Sequence, residues 1–277
     1  MRIRNVWAVY FSATGTTEQT VKTIAAAAAR ELGCPWHAIS FTLPQERQEK
    51  LQFCTGDLVI LGTPVYAGRV PNVLLPFLKE NIKGNGALAV PVVLFGNRNY
   101  DDALIELRNL LQLRHFSCVA AAAFVGEHAF STVLAAGRPD DEDRKLMDGF
   151  GETVAGKVLN LDFVPPEKLP IAVSGCDPIR PYYKPRDREG NFINILKVKP
   201  VTDAEKCTNC GLCAAKCPMG SISADNVAEV AGICIKCCAC VKGCPTGAKY
   251  FTDEGYLYHQ HELEEMYARR AEVTMFL

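Results

Sequence analysis

The 277-residue chain has almost no net charge: 30 Lys and Arg stand against 31 Asp and Glu, leaving −1. Residues 1–160 carry 16 basic and 16 acidic side chains, and residues 161–277 carry 14 and 15. That even balance speaks against a nucleic-acid or anionic-membrane surface. It also speaks against the strong acidity with which many small carriers attract partners over long distances. No apolar run approaches the ~20 residues that a membrane span needs, although hydrophobic residues make up 48% of the chain and suffice for a real core. No secretory leader is visible, since the first residues pass straight into a strand-like run. No G-x-G-x-x-G follows the first expected strand and no G-x-x-x-x-G-K occurs there, so neither a dinucleotide fingerprint nor a triphosphate loop is expected. No acid–base pair stands out, and no catalytic residue is assigned.

Cysteine is what the chain has in excess, with 13. Five are scattered (Cys34, Cys54, Cys118, Cys176 and Cys238), and eight form two runs. Cys207, Cys210, Cys213 and Cys217-Pro218 make the first; Cys234, Cys237, Cys240 and Cys244-Pro245 make the second. Both read C-x2-C-x2-C-x3-C-P, and each cysteine of the second lies 27 positions after its counterpart, which marks an internal duplication. Three cysteines two residues apart wrap a tight loop around three corners of a cube. Eight thiolates at this spacing can hold two 4Fe–4S clusters. A zinc reading leaves the two C-P cysteines unexplained. Thiolates committed to metal suit a reducing cytoplasm, and oxygen-sensitive clusters suit an anaerobic or low-oxygen cell.

Residues 201–252 resemble the bacterial two-cluster ferredoxins, a small α+β fold. The resemblance implies crossed ligation, the fourth cysteine of each run reaching the other run's cluster. Cys207, Cys210, Cys213 and Cys244 then hold one cluster, and Cys234, Cys237, Cys240 and Cys217 the other. Cys238, between two of these positions, departs from the pattern and reads as a small buried thiol, with an alternative ligand as the sharper reading. Lys206, Lys216, Lys236, Lys242 and Lys249 lie near the runs and could offset cluster charge, or be ordinary solvated lysines.

The N-terminal half alternates. Apolar runs at 6–11, 35–40, 57–63, 87–95 and 117–125 read as strands, with helical patterns at 17–32, after Pro71, at 101–114 and at 140–161. The alternation predicts a doubly wound α/β fold with a five-stranded parallel sheet, whose ligands bind at the carboxyl ends of the strands. Three loops leave those ends. Ser12-Ala13-Thr14-Gly15-Thr16-Thr17 offers hydroxyls and helix N-terminal amides without a cation, which suits a mononucleotide phosphate. Residues 62–71 place Tyr66 between glycines, and residues 96–102 place Tyr100 at a helix entry. Two tyrosines on adjacent loops can flank a planar ring, so the three loops together point to a flavin.

Through S-x-T-G-x-T, T-P-V-Y-x-G-R-x-P and G-N-R-x-Y-D-D, residues 1–161 resemble a flavodoxin-like FMN-binding domain. The whole chain resembles bacterial flavodoxin–ferredoxin fusions. The resemblance implies that Ser12, Thr14, Gly15, Thr16 and Thr17 hold the FMN phosphate. It implies that Thr63, Pro64, Tyr66, Ala67 and Gly68 line one side of the isoalloxazine, with backbone at Ala67 and Gly68 against N5. Asn97, Arg98 and Tyr100 line the other side, with Tyr100 stacking. Arg98 could place a cation near flavin N1 or pair with Asp101 or Asp102; Glu127 and His128 could relay a proton or form a hydrogen-bonded turn.

Residues 162–200 hold seven of the 16 prolines and read as a stiff spacer. A strand is expected at 192–198, and residues 253–277 read as a helical tail in which Glu265 and Arg269 are spaced to pair. Four segments are expected: 1–161, 162–200, 201–252 and 253–277. The functional expectation is an electron-transfer protein with FMN and two 4Fe–4S clusters, serving a redox partner protein, with no nucleic acid and no membrane span. A flavin-dependent reductase with a built-in ferredoxin, acting on NAD(P)H or a small substrate, and a redox sensor are the alternatives.

Overall fold

The computed structural model describes residues 2–161 and 171–277, so Pro165, Pro166 and Pro170 of the expected spacer lie outside the described residues. The alternation read from the sequence is present as β1 (Asn5–Tyr10), α1 (Thr16–Leu32), β2 (Trp36–Ser40), β3 (Asp57–Pro64), α2 (Leu75–Glu80), β4 (Leu88–Phe95), α3 (Ala103–Leu113), β5 (Ala121–Val125) and α4 (Asp141–Leu159). These strands pair in parallel in the order β2-β1-β3-β4-β5. β4 is buried throughout and β3 nearly so, because helices cover both faces and leave no solvated side. α1 and α4 cover one face through Val21, Ile24, Met147, Phe150 and Val154. α2 and α3 cover the other through Phe77, Leu78, Leu104 and Leu107.

The alanine-rich stripe of α1 lets α4 come close. A Cβ on Gly151 would lie 2.6 Å from the Ile24 carbonyl. Gly151→Ala should gain about 1 kcal/mol of helix propensity and lose about 1–3 kcal/mol to overpacking. We expect a net loss near 1 kcal/mol in a denaturant titration; unchanged or greater stability would refute the close approach.

The C-terminal part has the expected α+β character, and only its tail departs from expectation. Two short helices, α5 (Leu212–Ala215) and α6 (Ala239–Lys242), sit in the two cysteine runs, and α7 (Glu254–Met266) follows. A two-residue antiparallel pair joins Val201–Thr202 to Lys249–Tyr250. The tail is not helical to its end. After α7 it runs extended into β6 (Thr274–Phe276), which pairs antiparallel with β5. β5 would otherwise present an open edge, and the tail covers it. With β6, and with Ser117–Cys118 beside β4, the five parallel strands become a seven-stranded sheet.

The tail is tied down on its way. The Asn97 amide donates to the carbonyls of Tyr267 and Arg269, and Ala271 N donates to Asn97 Oδ1 at 3.1 Å. Arg138 Nη1 donates to Ala271 O at 2.7 Å while its Nε holds buried Asp143 at 2.8 Å. The expected Glu265–Arg269 pair does not form. Glu265 meets Arg188, and Arg269 Nη1 donates to Asn97 O at 3.0 Å.

Residues 171–200 are not a free tether either. Ile171 and Val173 pack on the sheet's core, Tyr182 Oη donates to Val70 O at 2.8 Å, and Tyr183 N donates to Ala67 O at 2.9 Å. The strand expected at 192–198 is reduced to a single bridge between Arg186 and Phe192, because this stretch follows the module surface rather than a sheet edge. Among the described residues no helix is long and apolar enough to cross a membrane.

Candidate functional site

The three loops singled out by sequence meet at the carboxyl ends of β1, β3 and β4. The first touches the second, since a Cβ on Gly62 would lie 3.0 Å from Thr17 Cγ2. The second touches the third, since Asp102 N donates to Gly68 O at 3.0 Å and a Cβ on Gly68 would strike Asp101 Oδ2 at 2.4 Å. α1 begins after Gly15, which is left-handed at φ 94 and has no side chain to cap the helix. The first-turn amides of Thr16 and Thr17 have no hydrogen-bond partner among the described residues. Ser12 Oγ accepts from Glu18 N at 3.0 Å and keeps its own proton free for an anion. Thr63 Oγ1, at the end of β3, is buried and has no hydrogen-bond partner among the described residues. Pro64 still belongs to β3, paired with Leu94.

Tyr66, Ala67, Gly68 and Arg69 form a tight turn closed from both sides. Tyr66 N donates to Arg69 O at 2.9 Å and Arg69 N to Tyr66 O at 3.1 Å. Ala67 and Gly68 both take positive φ, 50 and 78, the combination that a primed turn requires and that glycine tolerates at no cost. Both carbonyls of the turn are engaged, Ala67 O by Tyr183 N and Gly68 O by Asp102 N. The Tyr66 phenol is raised well above its ordinary value, by burial first and then by negative charge at Cys237, Cys238 and Cys234. Ile235 of the second cysteine run packs on the same apolar core as Val65 and Tyr100 of the flavin-side loops.

The third loop is braced differently from expectation. The Asn97 side chain is committed to the C-terminal tail. Arg98 pairs with Asp101 and stacks over the Tyr183 ring at 4.7 Å, so its guanidinium is occupied. Tyr100 packs on Phe95 with centroids 5.6 Å apart. Behind the loop, buried Asp102 accepts from Cys176 N and from the backbone and guanidinium of Arg180. The Arg180 side-chain hydrogen bonds hold its carboxyl down at about 2.

Glu127 pairs with Lys242 of α6 and accepts from Gly137 N at 3.0 Å. His128 is half-buried, and its Nδ1 accepts from Phe130 N at 3.1 Å. Burial first, and then the Lys242 charge, lower its imidazole to about 4. His259 of α7 is 5% exposed with its Nδ1 unpartnered among the described residues. Burial and the Arg98 charge lower it likewise to about 4. No sequence signal pairs these two histidines, which lie 131 positions apart.

The eight run cysteines line two hollows. One is lined by Cys207, Cys210, Cys213 and Cys244, and the other by Cys217, Cys234, Cys237, Cys240 and Cys238. Each hollow takes three cysteines from one run and the C-P cysteine from the other. Among the described residues no three ligating side chains converge as a single ion would need. The two C-P sulfurs are treated alike: Cys217 Sγ accepts from Ser221 N at 3.3 Å, and Cys244 Sγ from Ala248 N at 3.2 Å. Burial pushes the Cys244 thiol up, but hydrogen bonds from Thr246, Ala248 and Lys249 outweigh it and bring it down to about 7. The backbone repeats at the same offset of 27, with positive φ at Asn209 and Lys236, at Gly211 and Cys238, and at Gly220 and Gly247.

Cys238 thus occupies the left-handed position that Gly211 holds in the first run, with φ 59 against 74. Its Sγ lies 3.5 Å from Tyr256 Oη, and it packs with Phe251, Tyr256 and Phe130. Cys238→Ala should keep the full iron content; loss of four irons per chain would make Cys238 a ligand.

A family model described as a flavodoxin domain matches residues 8–114. Residues 8–114 form a flavodoxin domain. A second model, a 4Fe–4S binding domain, matches residues 200–223, which hold the first cysteine run. No curated protein matches the chain. Among solved structures, a flavodoxin from the domain Archaea is 15% identical over 56% of this chain and 99% of its own, with a TM-score of 0.42. The Streptococcus pneumonia TIGR4 flavodoxin is 20% identical over 55% of this chain and 99% of its own, with a TM-score of 0.39. The apo form of an NADH:FMN oxidoreductase is 17% identical over 58% of this chain and 92% of its own, with a TM-score of 0.41. The fold rests on strand order and on the family match rather than on these likenesses. The flavodoxin domain and the 4Fe–4S segment together give the chain a flavin and iron–sulfur redox function.

The residues fit both groups. For the flavin there are the unpaired amides of Thr16 and Thr17 and the orphaned Thr63 hydroxyl; for the clusters there are two separate hollows, each with four run cysteines.

Proposed function

We propose that the chain is an electron carrier that binds one FMN at the flavodoxin strand ends and two 4Fe–4S clusters in the cysteine hollows, and exchanges electrons with a partner oxidoreductase. Ser12, Thr14, Gly15, Thr16 and Thr17 would hold the phosphate. Thr63, Pro64, Tyr66, Ala67 and Gly68 would line one side of the ring, and Arg98 and Tyr100 the other, with Asn97 shaping that loop through its hold on the tail. FMN handles one or two electrons and each cluster one, so the bound set would link two-electron to one-electron chemistry. The protein supplies position, burial and fixed charge. A reducing, low-oxygen cytoplasm is the setting such clusters favour.

The observation that carries the reading is the crossed lining of the two hollows. A zinc knuckle or a set of independent thiols has no need of it, whereas a two-cluster ferredoxin does. Fixed contacts between the modules add to it: Tyr183 bridges Ala67, Arg98 and His259, and Lys242 bridges Glu127 and the Ser131 carbonyl at 2.8 Å. Anaerobic reconstitution tests it. One FMN and two sets of four irons per chain are expected; a single set, or no flavin retained, would overturn it.

A further inference from the structure

The two cysteine repeats share a backbone but not their surroundings. Aligned at their offset of 27, they differ where the second meets the flavodoxin domain. Thr208 becomes Ile235, which packs against the flavodoxin core. Gly211 becomes Cys238 and Ala214 becomes Val241, both in the apolar cluster with Phe130 and Tyr256. Ala215 becomes Lys242, which reaches Glu127 and the Ser131 carbonyl. The first repeat has none of these contacts among the described residues, apart from its C-P end, where Arg47 Nη2 donates to Pro218 O at 2.6 Å. Pro218 follows Cys217, the one first-run cysteine that lines the second-run hollow. Among the described residues, these bridges from the cysteine repeats to the flavodoxin domain all land around the hollow of Cys217, Cys234, Cys237 and Cys240.

Exposure follows the same division. Cys237 is 8% exposed and its neighbours Cys238 and Ala239 are 2% and 3%. In the first repeat the matching Cys210 is exposed, and Leu212 beside it is 40% exposed.

Resting on the proposed function, we infer that the repeats have divided labour: the second holds an inner site sealed against the flavodoxin domain through Ile235, Val241 and Lys242, and the first holds an outer site, through which a one-electron protein partner exchanges electrons. The chain's near symmetry in ligands and its asymmetry in everything around them follow from that division. A partner that delivers one electron is oxidised by one, and the carrier is reduced by one, so each exchange needs only a one-electron donor or acceptor at the outer face. Ile235, Val241 and Lys242 are positioning residues, since they hold the second repeat against the flavin domain and ligate nothing.

The test uses the full chain, loaded anaerobically, and a water-soluble ferrous chelator. An iron count of two sets of four comes first, and a shortfall there overturns the proposed function together with this inference. With both sets present, release should be biphasic, four irons leaving roughly ten-fold or more slowly than the others because the inner site must open locally first. Ile235→Ser with Val241→Ser should speed the slow phase toward the fast one and leave the fast phase unchanged, whereas Ile235→Val should restore it. In Cys210→Ser the irons that remain should all be slow, and in Cys237→Ser all fast. Ala215→Glu, at an exposed position of α5 that lines neither hollow, should leave the iron count and both release phases intact, yet slow reduction by a one-electron ferredoxin used as probe. A single release phase in the unsubstituted chain, or fast release of the irons left in Cys210→Ser, would overturn the division while leaving the proposed function standing.

Discussion

Cys217→Ala is expected to cost the chain the cluster of the second run, not of its own. Cys217 lines the hollow that holds Cys234, Cys237 and Cys240, while Cys207, Cys210 and Cys213 share theirs with Cys244. Iron should fall by one set of four, and the set that remains should belong to the exposed first run. Cys244→Ala should do the converse and spare the second-run site. A three-cysteine hollow lacks one corner ligand, and burial makes its replacement by water costly at Cys237, whose thiol burial pushes up. The two variants give about equal iron counts, so the count alone cannot separate crossed from uncrossed ligation. Combining Cys217→Ala with Cys234→Ala can. With crossed ligands both changes fall in one hollow and four irons remain; with uncrossed ligands each run loses a corner and nearly none remain.

A loss of stability on mild acidification is the other large effect. His259 is buried and His128 half-buried, and both are lowered from 6.5 to about 4, by desolvation first. The sign follows from which state binds the proton. Below about pH 6.5 the unfolded chain takes up a proton at each histidine, while the folded chain resists until about pH 4. Stability from these groups is therefore complete above 6.5, declines as pH falls through the interval, and is fully lost near 4. Each could contribute about 3 kcal/mol. Asp102, held at about 2 by Arg180, loses its share only at lower pH and does not blur the window. Anaerobic denaturant titrations of the loaded chain from pH 8 to 5 should show the decline. His259→Phe should roughly halve it and preserve the stack on Tyr183, because the Nδ1 it removes has no partner among the described residues. A decline unchanged by that substitution would place its source elsewhere.

Both histidines lie where the modules meet, and the route to that junction shows what the sequence can and cannot reveal. The five parallel strands were readable because apolar runs such as 87–95 have no other use than burial on both faces. The cysteine runs were readable because spacing alone constrains a cube. The tail was not. Three residues, Thr274 to Phe276, make a strand only because β5 offers an edge, and nothing local in them says so. The flavodoxin resemblance made Asn97 a flavin neighbour, but its amide serves carbonyls 170 and 172 positions away. Arg98 carried two readings, and the geometry has the pair with Asp101. Glycine-like backbone at Cys238 could have been found by laying one repeat over the other, as could Ile235 and Lys242, since each replaces a small or polar residue in an otherwise matched frame.

The central claim is that the flavin site and the inner iron–sulfur site belong to one fixed unit. Ile235, Tyr183 and Lys242 bridge it, and β6 clasps it by returning the chain to the flavodoxin sheet. The most direct measurement is the rate at which FMN is reduced after photoreduction of the clusters in the loaded chain, followed over a wide range of protein concentration. The account predicts a first-order rate that does not change on dilution. A rate that falls in proportion to concentration would contradict it, for the two modules would then be meeting by diffusion.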